Sequence, residues 1–216
     1  KKLLIPLITI CYINGCASVP GSKEEKGEEV LMIAKPLDDP KQKAERHFSM
    51  AQAYVAEGNP DRAIEEYRLT LLYDPNSALV YSRMAVEYIK KGMLSTAMEV
   101  CKEGLQKDPE FIDARLILAG LYAILRQPEE ALAEYSKVLK QDPMHEEALI
   151  HRAQLLMENE SVEVARREIQ AFLKRSPQSV LGWYYLGRAE QKRNQLERAA
   201  EAYEKAHALN PRLPQP

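Results

Sequence analysis

The sequence predicts an all-α protein, a solenoid of five consecutive helical hairpins, on three observations. Prolines recur at Pro75, Pro109, Pro143, Pro177 and Pro211, each 34 residues after the last. Alanines recur in one phase with them at Ala63, Ala97, Ala131, Ala165 and Ala199. An aromatic or other apolar residue follows each alanine by four, at Tyr67, Cys101, Tyr135, Ile169 and Tyr203. A fixed period of this length marks a repeat array, in which each unit buries its apolar face only by stacking on its neighbours. The bulk composition agrees. A length of 216 residues suits one domain or one array, and 45 % hydrophobic with 29 % charged residues excludes a chain disordered throughout. The net charge of -2 offers no basic surplus to a phosphate backbone. With 9 glycines and no sustained alternation of polar and apolar residues, a β-sandwich or barrel is disfavoured.

The chain opens KKLLIPLITICYINGC. Two lysines and the mostly apolar or small run from Leu3 to Gly15 read as the n- and h-regions of a signal peptide, residues 1–15. The run is shorter than the about 20 apolar residues that a transmembrane helix needs, and Pro6 weakens a helix there. One reading is an ordinary signal cut near Ala17, or a membrane anchor. The other rests on Ile13-Asn14-Gly15-Cys16, which resembles a bacterial lipobox: aliphatic, variable, small, cysteine. That resemblance implies cleavage before Cys16 and acylation of its sulfur and new amino group, although Asn14 is less usual there than Ala or Ser. Cys11 follows Ile10, too bulky for the small position, so Cys16 is the lipidation candidate. Acyl burial contributes about 0.8 kcal/mol per CH₂, and several chains together hold a protein firmly at a membrane. By resemblance to Gram-negative lipoproteins, Ala17 after the cysteine implies lipid anchoring in the bacterial cell envelope, at the periplasmic face of the outer membrane.

Residues 16–43 follow as the lipidated cysteine and a flexible tether, rich in Pro, Gly, Ser and mixed charge. Within it, the short apolar run Val30 to Ala34 packs against the first repeat, docks a partner, or has no specific contact.

From 44 to 211 the period continues in two further series. Ala51, Ala85, Ala119, Ala153 and Gly187 keep a small residue in register, and Tyr54, Tyr88, Tyr122 and Leu156 form a fifth series broken only by Glu190. This pattern resembles the tetratricopeptide-repeat (TPR) consensus, and Trp183-x-x-Leu186-Gly187 is nearest to its opening. The resemblance implies a right-handed α-solenoid of five repeats (44–77, 78–111, 112–145, 146–179 and 180–213), leaving 214–216 as a tail. Repeat four diverges most: Leu149 holds the first aromatic slot, Arg152 the leucine slot and Ser176 the usual Asp. Small residues such as Ala51 and Ala63 let the helices of a hairpin approach, and Tyr54 and Tyr67 fill the space between hairpins. Pro60 and Pro128 fit the first turn of a helix. Asp74-Pro75 and its equivalents end the second helix, because a residue before Pro leaves the α region.

Catalytic signatures are missing from the sequence. It contains no Walker loop, GxGxxG, HExxH or CxxC. His145 and His151 lie six apart, about 240° round a helix. No enzyme activity, metal or cofactor is expected, and Cys101 reads as a small buried apolar residue.

In TPR families helix A lines the concave side of the superhelix. The resemblance therefore implies a partner-binding groove, taken at steps of three and four along each helix A. Its candidates are Phe48, Gln52 and Val55 in repeat one, Leu79, Val86 and Ile89 in repeat two, and Leu116 with Gly120 and Ala123 in repeat three. Ile150 and Met157 in repeat four, and Tyr184 and Arg188 in repeat five, complete the set. Glu45, Asp113 and Glu147 give one edge an acidic character. An amphipathic helix or extended apolar segment suits such a lining. The carboxylate clamp of chaperone-binding TPRs is not matched, because its slots hold Phe48, Gln52, Arg83, Asp113 and His151. The asparagine ladder is not matched either, with Ser49, Arg83, Ile117, His151 and Tyr185 in place.

The expected function is a non-catalytic protein–protein interaction scaffold, a lipid-anchored adaptor in an envelope assembly. Its layout of lipobox, spacer and tandem repeats is similar to the pilotin-type TPR lipoproteins of type IV pilus assembly, which help a secretin ring. Two other expectations stand beside it. One is a self-associating structural lipoprotein, pairing through the last helix near Tyr203, Ala206 and Leu209. The other is an accessory subunit of an envelope enzyme.

Overall fold

The computed structural model describes residues 39–212, which form ten α-helices. The first helices of the hairpins are α1 (Pro40–Ala56), α3 (Ala78–Lys90), α5 (Ile112–Ile124), α7 (Glu146–Glu158) and α9 (Val180–Lys192). The second helices are α2 (Pro60–Tyr73), α4 (Leu94–Lys107), α6 (Pro128–Gln141), α8 (Val162–Leu173) and α10 (Leu196–Leu209). The fold is the expected all-α solenoid. Cys16, the signal at 1–15 and the run Val30 to Ala34 lie outside the described residues.

One boundary differs from the sequence reading. α1 opens at Pro40, inside the stretch assigned to the tether. The Asp39 side chain accepts the Lys41 N–H at 3.1 Å and Pro40 occupies the first turn, so the capped helix begins four residues before the repeat does.

Every hairpin turns by one device. The N–H groups of Asn59, Met93, Gln127, Ser161 and Gln195 reach back to the carbonyls of Tyr54, Tyr88, Tyr122, Leu156 and Glu190, at 2.8–2.9 Å. This six-residue loop requires a left-handed residue just before the donor. It is found at Gly58, Gly92, Arg126, Glu160 and Asn194, with φ of 71°, 74°, 59°, 60° and 59°. The two glycines adopt this φ without penalty, whereas Arg126 and Glu160 bear the Cβ clash.

Packing inside a hairpin depends on the alanine series. Ala51, Ala63, Ala85, Ala97, Ala119, Ala131, Ala153 and Ala165 have no exposed surface. Tyr67, Cys101, Tyr135 and Ile169 are buried beside them, and burial pushes the Cys101 thiol from 9.0 up to about 12. Repeat five needs a smaller residue still: a Cβ on Gly187 would lie 2.6 Å from the Tyr203 ring.

Two departures mark repeats four and five. α8 ends at Leu173, earlier than the other second helices, where Ser176 replaces the aspartate of Asp74, Asp108 and Asp142. Glu190, which interrupts the aromatic series, is only 2 % exposed. Its carboxylate is held by Arg193 at 2.6 Å and by Arg166 at 3.8 Å, and Arg193 also reaches Glu163 at 2.9 Å. The Arg166 guanidinium donates to Glu163 and holds that carboxyl below its usual range. The network ties α8 to α9 where an aromatic side chain would otherwise fill space.

The stack is asymmetric. Besides its own partner, α3 touches α5 and α7 touches α9, whereas no two second helices are in comparable contact among the described elements. At these two junctions the first helices pack more closely than the second, and the first helices are taken as the inner layer, as the TPR resemblance implies.

Candidate functional site

The inner layer was anticipated to present rows at steps of three and four, and the structure shows which rows are free. Phe48, Val55, Val86, Ile89 and Leu116 are half-buried. Phe48 tilts against Tyr67 with centroids 6.1 Å apart, and Gln52, which is exposed, donates to the Tyr67 hydroxyl at 2.6 Å. Leu79 is exposed. Tyr184 lies 5.5 Å from Tyr185, edge-on, and 5.6 Å from Tyr203. Arg188 stacks over Tyr185 at 5.3 Å.

Ile150 and Met157 do not line an open face. They are 5 % and 2 % exposed, and Met157 belongs to the core formed with Ala153, Leu156, Leu186 and Ala189. Among large side chains this burial belongs to repeat four: Phe48, Leu116 and Tyr184, equivalent to Ile150, are half-buried, and Gln191, equivalent to Met157, is exposed.

The row of Gln52, Val86, Gly120, Gln154 and Arg188 is half-buried to exposed. The flanking free rows sit one residue further along than expected. They run through Ser49, Arg83, Ile117, His151 and Tyr185, and through Ala56, Lys90, Ile124, Glu158 and Lys192. Sequence reasoning therefore missed Ile124, which is 59 % exposed. Its signal was present: an isoleucine in a row otherwise made of Ala, Lys and Glu.

The inner face changes character along its length. Repeat three is its apolar centre, with Ile117, Gly120 and Ile124 one above another. Nothing lies within 4 Å of the point where a Gly120 Cβ would stand, so no packing requires glycine in the middle of α5. Its helix cost of about 1 kcal/mol relative to alanine is uncompensated inside the molecule. Toward the carboxyl end, a cavity of about 310 Å³ adjoins this centre, between Ala123, Ile124, Tyr135, His151 and Gln154. Tyr135 stacks on His151 at 5.9 Å, and burial, with Glu147 adding to it, pushes its hydroxyl up to about 12. At the amino end, a larger cavity of about 640 Å³ lies between α1, α2 and α3, and joins Phe48 and Leu79 through Ala44, Tyr73 and Val80. Among the described residues, no cluster of three or more His, Cys, Asp or Glu side chains is arranged to hold a metal.

A family model described as tetratricopeptide repeat matches residues 28–178, and a second of the same description matches 150–214. The chain belongs to the tetratricopeptide-repeat family. TPR proteins act as protein–protein interaction scaffolds, and the TPR fold is typically non-catalytic. Human DnaJ homolog subfamily C member 3 is 24 % identical over 128 residues, which are 59 % of this chain and 25 % of that protein. This chain thus spans only a quarter of that relative's length. Among solved structures, a TPR protein from Parabacteroides merdae superposes with a TM-score of 0.71 at 21 % identity, covering 79 % of this chain and 68 % of that one. Pseudomonas aeruginosa pilF superposes with a TM-score of 0.67 at 15 % identity, covering 79 % and 78 %. At such identities these likenesses bear on the fold alone.

Proposed function

We propose that this TPR chain is a non-catalytic adaptor that grips an apolar segment of another protein across its inner face, and that lipid on Cys16 holds it at the bacterial outer membrane. The observation that carries the gripping surface is the centre of that face. Ile124 stands exposed beside Gly120, where open space meets a glycine that nothing in the fold requires. A guest helix or strand approaching closely there would bury Ile117 and Ile124 against its own apolar side chains. The acidic row of Glu45, Asp113 and Glu147, all exposed, would favour a guest with basic flanks. The anchor rests on the lipobox-like Ile13-Asn14-Gly15-Cys16. A role in a pilus or secretin assembly rests on the layout of lipobox-like motif, spacer and tandem repeats.

Two measurements test the reading. Ile124→Glu should remove partners recovered by crosslinking from membranes while leaving the melting curve unchanged; equal recovery refutes the inner-face site. Labelled palmitate should enter the wild type and not Cys16→Ala, and equal labelling removes the anchor.

A further inference from the structure

We propose that the cleft between α6, α7 and α8, on the outer layer, is a second protein-binding site that takes an acidic segment bearing a bulky apolar residue. Its origin lies in a bond that repeats three and five make and that repeat four, like repeat two with Tyr81, does not. In repeat three the Arg115 guanidinium donates to the carbonyl of Pro109, and in repeat five Trp183 Nε1 donates to the carbonyl of Pro177 at 2.8 Å. Each donor reaches back six residues, across the junction between hairpins. The equivalent residue of repeat four is Leu149, which has nothing to donate to Pro143, and it is also too small to cover the junction. Pro143 instead borders an open cleft of about 430 Å³.

The lining is apolar below and cationic above. Leu149 and Phe172 are buried, and Leu139 is half-buried next to them, giving a floor for one large apolar side chain. Arg152 stands where Leu118 and Leu186 lie in the neighbouring repeats, and it is held by Glu168 and by the Ser136 hydroxyl at 3.2 Å. Glu168 is the one carboxylate of the lining, and that pairing occupies it. Lys140 and Arg175 are exposed at the rim, and neither side chain has an ion pair or hydrogen bond among the described residues. A chain of net charge -2 thus carries two uncompensated cations over an apolar floor, beside a proline carbonyl free of the donor that closes the neighbouring junctions. The complement is a peptide with carboxylates on either side of a Leu or Phe, its backbone N–H directed at Pro143.

The test uses the full chain and a fluorescein-labelled peptide, blocked at both ends, with Leu-Phe flanked by glutamates. Anisotropy should show saturable binding that weakens as salt rises. Lys140→Glu with Arg175→Glu should weaken it by about tenfold, the sum of two surface charge pairs. Leu149→Trp, which restores the aromatic filling of repeat five, should abolish it. Ile124→Glu, on the inner face, should change nothing. The proposal is overturned by absence of saturable binding, by equal binding of a peptide with lysines for glutamates, or by undiminished binding in the double variant. The two rim residues are exposed, so that variant should keep the wild-type melting curve.

Discussion

At the scale of single residues, burial decides chemistry. Cys101 has no exposed surface, and burial raises its thiol from 9.0 to about 12. A group that holds its proton more tightly when folded contributes stability that is full below the unfolded value and lost as pH rises toward the folded one. Stability to denaturant should therefore stay level up to about pH 9 and then fall toward about pH 12, with Tyr135 adding in the same direction. Cys101→Ala should shallow that slope, measured as urea midpoints against pH; an unchanged slope would place the loss elsewhere. The thiol should also resist Ellman's reagent until the chain unfolds. Cys101 was legible from sequence because its place in the period fixed its burial. Ile124 was not, since framework positions set the phase of a helix but not how deeply each row sinks against the next helix.

At the scale of the element, the turns show most clearly what a sequence conceals. The left-handed position is Gly58 and Gly92 in two hairpins but Arg126, Glu160 and Asn194 in three. Residue type marks Gly58, Gly92 and, more weakly, Asn194; Arg126 and Glu160 are held by the turn's own hydrogen bonds at a local cost. Arg126→Gly and Glu160→Gly should each raise stability by about 1 kcal/mol, and Gly92→Ala should lower it by a similar amount. Thermal melts of the single variants check this, and a loss on either glycine substitution contradicts it. The ion network between α8 and α9 is a second element-level feature. The break in the aromatic series at Glu190 is visible in the sequence, but its compensation by Arg166 and Arg193 comes from another helix and from the following turn. Glu190→Ala leaves those guanidinium groups without their shared buried partner and should cost about 3 kcal/mol in denaturant melts. A loss below about 1 kcal/mol would mean that water replaces the carboxylate without strain.

At the scale of the whole molecule, stability is a sum of hairpins and the contacts between neighbours. The α7–α8 hairpin makes the sparsest internal contact of the five, has the shortened α8, and is flanked by the open outer cleft. Amide exchange should therefore be fastest there and in its turn, with α3 to α5 best protected; uniform protection would show one cooperative unit. The period and the divergence of repeat four were both readable in advance. That the divergence opens a cleft was not, because the cleft depends on a missing bond to a carbonyl in the preceding hairpin. The junctions themselves carry a further consequence. Asp74, Asp108 and Asp142 leave their helices in nearly one backbone conformation, with φ of -132°, -134° and -128° and ψ of 80°, 96° and 93°. A chain cut at one of these aspartates and rejoined at another loses or gains whole hairpins without a kink. Unequal recombination can thus lengthen or shorten the inner face in units of a single hairpin, so the length of the array evolves in steps while its architecture stays fixed.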